Sequence, residues 1–385
     1  MRNVVRCWGC ICLAFVVANA MFIVNAYADP KFQDFYFQQH QRRFGTEARD
    51  GRMFAMAGST SLVSRNSVSA GTNPAGLGLM EQGDVSAVYG YNEVSGNVFP
   101  TRERVKDKQH MGQIFGAIPL GPVKDDLPDY GNLAIGWKGD IGDWKGDPTD
   151  TESRSHEVTG AYAAAIGESA SMGYSLTYLN DKVEFTGHDY DATESFIHRL
   201  GVQYRDTEDL IFGATASFAH GSHDLSHKEA IGIDQTVDHF GFGIGLGAQY
   251  TMDATSVAFG ADYNYYDNKG VNQIPNDTVW GGDAIGHAMN FKVGFEQLLQ
   301  NWLALRAGYR YAANFSWNYE RSDLVSIDGG AKYNAWSLGA GLRLPLNGSN
   351  IQEIRLDYGV EYRAVGRDDW EHLISLVAPF DICLP

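Results

Sequence analysis

Apolar and polar residues alternate with a period of two from about residue 84 almost to the C-terminus. The alternation is sharpest in 254–267, 302–315 and 351–364, where one face is aliphatic or aromatic and the other is polar or glycine. Such a pattern predicts β-strands with one apolar face. The fourteen predicted strands lie near 84–96, 110–118, 131–138, 154–166, 169–186, 194–206, 209–221, 236–251, 254–267, 284–298, 302–315, 331–345, 351–364 and 370–380.

The apolar faces of these strands end in aromatic residues, as at Tyr263 and Tyr265 and at Tyr309 and Tyr311. Many of the strands are about ten residues long or longer, which is the length that a tilted membrane strand needs. Aromatic residues at the ends of an apolar face are typical of the membrane–water interface. The pattern therefore favours an all-β transmembrane antiparallel β-barrel over its alternative, a soluble sandwich.

The predicted connections alternate between long and short, as in a membrane barrel with short periplasmic turns and long outer loops. The exception is 119–130, a longish connection on the short side. The long connections are 97–109, 139–153, 187–193, 222–235, 268–283, 316–330 and 365–369, and the short ones are 167–168, 207–208, 252–253, 299–301 and 346–350. With fourteen strands, an even number, both chain termini of the barrel lie on the periplasmic side.

The stretch Gly51–Met80 has no strand or helix period and is rich in Gly, Ala and Ser. It precedes the first strand and contains Asn73-Pro74-Ala75-Gly76. A segment that precedes a barrel and starts on the periplasmic side can enter the lumen from that side. We interpret residues 29–83 as a periplasmic lead-in and an N-terminal plug, and 84–385 as the barrel.

Residues 1–28 are typical of a secretory signal, with Arg2 and Arg6 before the apolar run Cys10–Val24 and an A-x-A site before Asp29. Cleavage there leaves Cys383 as the one cysteine of the mature chain, so no intrachain disulfide forms. No later apolar run reaches the eighteen residues that a membrane helix needs. We therefore expect the outer membrane of a Gram-negative-type cell.

Within the lead-in, Phe32, Phe35, Tyr36 and His40 recur at helical spacing. This spacing predicts a short amphipathic helix. Two interpretations of residues 29–50 stay open: an ordered approach to the plug, and a docking site for a periplasmic partner.

After cleavage the chain keeps 28 Lys and Arg against 47 Asp and Glu, a net charge of about −19. A nucleic-acid partner needs a basic face, so this balance argues against one. It argues equally against binding to an anionic inner leaflet.

The run of alternate glycines Gly241, Gly243, Gly245 and Gly247 contains a superficial dinucleotide-type pattern. A phosphate loop requires a turn from strand to helix, whereas these glycines share one face of a predicted strand. We expect them to keep the barrel wall thin on the inside and to leave room for the plug.

Two clusters resemble metal sites. The histidines His220, His223 and His227, near Asp224 and Glu229, could bind zinc, and the acidic loop residues Asp140, Asp143, Asp147 and Asp150 could hold a hard cation. Plain solvated loops are favoured in both cases, and no cofactor or metal is predicted. The chain lacks G-x-S-x-G, and no enzymatic activity is predicted.

Charged residues cluster on the polar faces of the last strands. On a lipid face each Arg or Lys would cost roughly 2–4 kcal/mol, so we expect them in the lumen. Two roles stay open for them: pairing with one another and with Arg49, Asp50, Arg52 or Arg65 of the plug, or forming a polar strip along a conduit. They are Lys292, Glu296, Arg306, Arg310, Arg343, Glu353, Arg355, Asp357, Glu361 and Arg363.

The sequence GRMFAMAGS…SRNSVSAGTNPAGLGLM, followed by the alternating strand DVSAVYGY, resembles the start of the FadL/TodX family of outer-membrane transport proteins. In this resemblance Asn73, Pro74 and Ala75 match the plug motif. The family implies a fourteen-stranded barrel with a plug, and passive uptake of hydrophobic small molecules such as long-chain fatty acids or aromatic hydrocarbons.

The implied pathway runs past the plug and leaves sideways through the wall. The expected apolar ligand contacts are Met53, Phe54, Met56, Leu62, Val63, Leu77, Leu79 and Met80. The expected partners are a hydrophobic molecule or lipid and the outer-membrane lipids. Related plug-bearing proteins suggest an alternative, a non-transporting scaffold or secretion-system adaptor.

Overall fold

The structure is a computed structural model that describes residues 47–97, 104–124, 127–145, 151–184, 190–207, 209–227, 233–269, 284–318, 331–346, 351, 353–364 and 368–381. Fourteen antiparallel strands close into one barrel, as the alternation predicts. The strands of the barrel are β1 Gly83–Asn97, β2 Arg104–Pro119, β5 Asn132–Lys145, β6 Thr151–Ile166, β7 Ala170–Glu184, β8 Tyr190–Thr207, β9 Leu210–His227, β10 Ile233–Met252, β11 Thr255–Lys269, β12 Ala284–Gln300, β13 Leu303–Asn318, β14 Ala331–Pro345, β15 Glu353–Ala364 and β16 Asp368–Phe380.

The first strand closes the barrel by pairing with the last, in a register that places Gly83 opposite Phe380. Every other neighbour in the barrel is also the next barrel strand in sequence. Between β2 and β5 the chain forms a separate two-stranded hairpin from β3 Val123–Lys124 and β4 Leu127–Pro128. This hairpin accounts for the one connection that breaks the predicted alternation of loop length.

Several strands extend farther toward the long connections than the alternation predicts. The strand predicted at 110–118 begins at Arg104, the one at 131–138 ends at Lys145, and the one at 209–221 ends at His227. The extra residues are mostly polar, although Ile141 of β5 still continues the outer apolar face. Once a strand leaves an apolar environment neither face needs to be apolar, yet the backbone hydrogen bonds continue, so the alternation stops before the strand does.

Short connections meet at one end of the barrel, which we call the turn end. There the links 167–169, 208–209, 253–254 and 301–302 join consecutive strands. Gly167 and Asp253 adopt positive φ angles of 70° and 53° in these turns. The opposite end, where the long connections begin, is called the loop end. The barrel starts with Gly83 and finishes with Phe380 at the turn end, as the even strand count predicts.

The outer face of the wall is apolar and rimmed with aromatic rings. Leu246 is 64% exposed, and Phe259 is 49% exposed. Tyr362 contacts Trp370 and stacks on Trp336 at centroid separations of 4.8 and 6.1 Å. The described helices include none that is long and apolar enough to cross a membrane.

The predicted plug lies inside the barrel and consists of short helical pieces joined by turns. They are α1 Gly51–Ala55, a 3₁₀ helix Ser67–Gly71 and α2 Ala75–Gly78. Asp50 caps α1 by accepting a hydrogen bond of 2.7 Å from the Met53 amide. Ala57 and Gly58, both at positive φ, then turn the chain. Residues 47–50 are not helical, and the rest of the predicted lead-in helix lies outside the described residues.

Glycines on the inner face let the plug backbone touch the wall. A Cβ on Gly213 would lie 1.9 Å from the Leu62 carbonyl oxygen, and one on Gly308 would lie 2.4 Å from the Met56 carbonyl carbon. The wall glycines whose added Cβ would meet the plug are Gly173, Gly201, Gly213, Gly245, Gly247, Gly260, Gly294, Gly308, Gly339 and Gly359. We call this set the glycine ring.

The glycine ring confirms the role predicted for Gly245 and Gly247, both of which face Leu62. Gly243 behaves differently, since an added Cβ there would meet Asn264 and Ser217 of the neighbouring strands. Alternation alone could not separate these cases, because it shows which face a glycine occupies but not what lies opposite.

We expect Gly213→Val to prevent the plug from seating. Valine suits a strand, but its side chain would overlap the Leu62 carbonyl, so we expect a loss of about 1–3 kcal/mol in the free energy of unfolding. The measurement is the urea midpoint of the folded, heat-modifiable band on unboiled gels. Gly160→Val is the matched control, because nothing lies within 4 Å of a Cβ at Gly160. Equal midpoints for the two variants would contradict this account of the glycine ring.

Candidate functional site

The Asn-Pro-Ala-Gly motif ties the plug to the wall. The side-chain amide of Asn73 donates to the carbonyl oxygens of Leu62 at 2.7 Å and Val202 of β8 at 3.2 Å. The Ser171 hydroxyl of β7 donates to the Ala75 carbonyl at 2.7 Å. Pro74 is the N-cap of α2, and a Cβ on Gly76 would lie 2.1 Å from the Ser64 carbonyl oxygen. Asn73 and Gly76 are therefore required by their own contacts, whereas Ala75 is bound through its backbone carbonyl.

The apolar plug residues predicted to contact a ligand are packed against the wall or within the plug. Each of these eight side chains is at most 9% exposed. Met53, Leu77 and Met80 form one cluster with Phe115 of β2, and Phe54 packs with side chains of β1, β2 and β16. Contact with a ligand would require the plug to move, so their role as ligand contacts stays a prediction.

Charged side chains of the wall join the plug in three ion networks. The first begins at Arg52, which pairs with Glu296 at 3.0 Å. Arg306 of β13 bridges Glu296 at 2.6 Å and Asp357 at 2.5 Å. Because Arg306, Glu296 and Asp357 are buried, each depends on the others for charge compensation.

The second network begins at Arg49, which pairs with Glu371 of β16 at 2.6 Å. Arg363 joins Glu371 to Glu361, and Arg310 pairs with the same Glu361 at 2.5 Å. The Arg49 guanidinium also lies 4.9 Å from the centroid of the Phe54 ring. This network holds the chain at the point where it enters the plug.

The third network begins at Glu47, which accepts from Lys292 of β12 at 3.0 Å. Lys292 also pairs with Asp262 of β11 at 2.8 Å. Glu47 was not among the predicted plug anchors. The sequence offers no signal for it, because its partner lies 245 positions away.

Glu47 and Arg49, where the described chain enters the plug, are both charged. Burial alone would raise the pKa of the Glu47 carboxyl, but Lys292, with a hydrogen bond from Ser61 and the charge of Arg310, holds the pKa below its usual value. Burial lowers the pKa of the Arg49 guanidinium to about 10, which still leaves it protonated near neutral pH. The two contacts are therefore ion pairs under ordinary conditions.

Two plug residues that were predicted to pair with charges of the wall, Arg65 and Asp50, do not make such pairs in the described part of the structure. Arg65 is exposed, because the plug surface on which it lies faces the open turn end. Asp50 caps α1 and accepts from the Asn66 side chain at 2.5 Å, so it braces the plug internally. Arg355 pairs with its strand neighbour Glu353, and the remaining predicted charge, Arg343, is half-buried near the turn end.

Additional polar contacts line the lumen on β5, β6 and β7, away from the predicted charges. Lys138 of β5 pairs with Glu157 of β6 at 2.5 Å, and Thr159 and Thr177 share a hydrogen bond of 2.8 Å. Their signal in the sequence is the polar face of an alternating strand. That signal identifies the face, but not the partner.

The described members of the two clusters that resembled metal sites do not converge on a common point. Asp140 and Asp143 lie on β5 and point to opposite faces, since they are three positions apart on a strand. His220 stacks on His198 of the outer face at a centroid separation of 5.4 Å. Asp147, Asp150 and Glu229 lie outside the described residues, and within the described part of the chain no group of His, Cys, Asp and Glu could hold a metal ion.

An apolar hollow of about 710 Å³ lies on the outer face over strands β8 to β12. Large side chains such as Phe212, Leu246 and Phe259 surround smaller ones such as Ala214 and Ala248. The glycines Gly213, Gly247 and Gly260 of the glycine ring form part of its floor. Only the backbone thickness of the wall therefore separates this hollow from the plug segment around Leu62.

Comparison with solved structures gives the same architecture. A FadL homologue of Pseudomonas aeruginosa matches with a TM-score of 0.57 at 12% identity, over 87% of this chain and 99% of its own. The Ralstonia pickettii toluene transporter TbuX matches with a TM-score of 0.57 at 14% identity, over 88% and 100%. This chain has the FadL/TodX fold.

The Pseudomonas putida toluene transporter TodX matches this FadL/TodX barrel with a TM-score of 0.53 at 13% identity, over 87% of this chain and 98% of its own. No protein-family model and no curated protein matches the sequence. At such identities the likeness concerns the fold, and function must be argued from the site.

We expect Arg306→Met to loosen the plug. The variant leaves Glu296 and Asp357 buried beside each other without their shared cation, which costs about 3–5 kcal/mol for a broken buried pair. The measurement is the thermal transition of the purified protein in detergent.

Arg355→Met is the control, because the Arg355 side chain is 43% exposed and its pair with Glu353 contributes at most about 1 kcal/mol. The variant Arg306→Met with Glu296→Gln and Asp357→Asn should recover part of the loss, since no uncompensated charge remains. No recovery would mean that packing, rather than charge, is the role of Arg306.

Proposed function

We propose that this protein is an outer-membrane channel for the passive uptake of hydrophobic small molecules, gated by its N-terminal plug. The observation that carries the proposal is a plug held across the lumen of a barrel whose outer face is apolar and rimmed with aromatic rings. Similarity in fold to a FadL homologue and to two toluene transporters supports it. The substrates that we propose are long-chain fatty acids or aromatic hydrocarbons.

The route in this proposal runs along the plug and out through the side of the wall. The apolar hollow over β8 to β12 supports a sideways route, because it adjoins the plug and offers hydrocarbon surroundings. The described ladders of β8 to β12 are paired continuously apart from small register shifts at strand ends. Passage therefore requires the plug segment around Leu62 to withdraw and the wall there to deform.

Locking the plug to the wall tests this function. The hydroxyl oxygens of Ser67 in the plug and Ser86 in β1 lie 3.1 Å apart, so cysteines at both positions are placed to form a disulfide. In a Cys383→Ser background, we expect the oxidised Ser67→Cys/Ser86→Cys variant to take up long-chain fatty acid or toluene much more slowly than the reduced variant. The measurement is radiolabelled uptake by cells that lack the native gene.

The single variant Ser67→Cys is the control for the reagents and should respond to neither oxidation nor reduction. Equal uptake by the oxidised and reduced double variant would contradict gating by the plug. Wild-type uptake in cells without the gene would exclude the channel function for that substrate.

A second candidate function is a non-transporting scaffold or secretion adaptor. The observation that favours it is the polar lumen, in which three ion networks lie at the height of the plug where a hydrophobic route would pass. If this function holds, residues 29–50 should bind a partner in stoichiometric amount. We expect pull-down from detergent extracts with the full chain, and not with a chain lacking residues 30–45, to recover it. Equal recovery from both would contradict the adaptor role of this segment.

A further inference from the structure

Histidines recur at one level on the outer face of the barrel. Each shares its face with the exposed apolar residues of its strand, as His198 does with Leu200, which is 57% exposed. We call this set the histidine belt, and its described members are His110, His156, His198, His220, His287 and His372.

The histidine belt lies at the loop-end edge of the apolar band. His110 is nine positions from Pro119, where β2 ends at the turn end, and His198 is nine positions from Thr207, where β8 ends. Nine positions span about 30 Å of strand, or about 23 Å across the membrane at a tilt near 40°. The apolar band of such a barrel is about 25 Å tall, so the belt is level with the lipid headgroups.

Four rings of the belt are oriented by the same contact. The Tyr174 hydroxyl lies 2.7 Å from the Nδ1 atom of His198. Three more pairs repeat this contact at 2.7 to 2.8 Å: Tyr89 with His110, Tyr263 with His287 and Tyr358 with His372. In every pair the tyrosine lies on the turn-end side of the histidine. A tyrosine that donates to Nδ1 leaves the ring proton on Nε2, which then points toward the loop end.

The Nε2 atom of His198 meets a second histidine of the belt. It lies 3.3 Å from the Nε2 atom of His220, and the two rings stack at a centroid separation of 5.4 Å. When His198 donates to His220, the proton of His220 resides on its Nδ1 atom. This chain of tyrosine and two histidines therefore also ends in an N–H donor.

Two cations lie at the level of the belt. Arg154 of β6 and Lys182 of β7 share one register row with His110, across Ile141 of β5. Like charges directly opposite each other destabilise a sheet, so an anion between Arg154 and Lys182 would be stabilising.

The carboxylates nearest to these cations lie farther toward the loop end. Arg154 pairs with Glu152 and Lys182 pairs with Glu184, each two positions along its own strand. The Arg154 and Lys182 side chains are 62% and 44% exposed, so these pairs contribute little to stability. Both cations therefore stay accessible at the edge of the apolar band.

Phosphate groups match this arrangement. N–H donors and cations make their strongest hydrogen bonds with ionised acceptors such as phosphate. A hydrocarbon tail offers them no acceptor. Lipid headgroups carry phosphate at the level where the belt lies.

We propose that the histidine belt, with Arg154 and Lys182, binds the phosphate groups of outer-leaflet lipids. The loop end faces outward in the proposed outer-membrane orientation, so these lipids are the ones in reach. The contacts fix the height of the barrel in the membrane. This goes beyond the proposed transport function, because the belt binds in the same way whether the barrel serves as a channel or a scaffold.

Native mass spectrometry of the purified full chain in detergent tests the proposal. The probes are lipid A and the same lipid after removal of its phosphates. We expect the unmodified protein to bind the phosphorylated lipid about tenfold more tightly, the effect of a few charge-assisted hydrogen bonds at an exposed site.

The belt variant combines His110→Phe, His287→Phe and His372→Phe with Arg154→Gln and Lys182→Gln. It keeps an aromatic ring at each histidine position but removes the N–H donors and the cations. We expect this variant to bind the two lipids equally. The variant with Arg154→Gln and Lys182→Gln alone changes exposed side chains, so it should fold normally and show an intermediate preference.

Tyr162→Phe with Tyr204→Phe is the matched control, because these exposed tyrosines lie on the outer face near the turn end, away from the belt. It should keep the full preference for the phosphorylated lipid. Heat-modifiable migration checks that each variant is folded.

Equal binding of the two lipids by the unmodified protein would overturn the proposal. An unchanged preference in the belt variant would also overturn it, because the phosphates would then bind elsewhere. Dimers of the unmodified protein in place of lipid-bound monomers would assign this face to a second copy of the chain instead.

Discussion

The width of the barrel is the constraint on which the rest of the structure depends. Fourteen strands enclose more space than their inward side chains can fill, so the interior has to be supplied by chain from elsewhere. The plug meets this need, and the glycine ring lets it approach until backbone touches backbone at Gly213 and Gly308. Wall and plug are thus one packing unit. The small residues of Gly51–Met80 and the inward glycines of the strands together allow this close packing.

Ion pairs between the plug and the wall stabilise the packed position of the plug. Each of the plug residues Glu47, Arg49 and Arg52 begins a network of buried charges on the wall. Such groups are costly to bury alone, so removing one member destabilises its partners. The networks favour one seating of the plug over others of similar volume. Any movement of the plug as a whole has to separate or carry along these pairs, which opposes that movement.

A hydrophobic route and a polar lumen place opposite demands on one barrel. Inside, the described wall is rich in paired charges and hydrogen-bonded hydroxyls, whereas the apolar surface lies outside and in the packed contacts of the plug. The place where these environments come closest is the thin wall between Leu62 and the outer hollow. A smaller rearrangement is needed there than at the ion networks, since packing contacts and hydrogen bonds to the Leu62 carbonyl, and not buried charges, hold the plug at that position.

The alternation of apolar and polar residues was enough to predict the barrel, its number of strands and its two faces, because a strand with two different environments repeats every two residues. It also placed Arg306 and Glu361 inward, since charges are costly on a lipid face. Some strand ends were missed, as at His227, because the alternation fades before the strand ends. That Glu47 pairs with Lys292 could be seen only in the folded barrel. The same holds for the contact of Gly213, but not Gly243, with Leu62 and for the exposure of Arg65. These contacts join positions far apart in sequence, and their geometry arises only when the barrel closes around the plug.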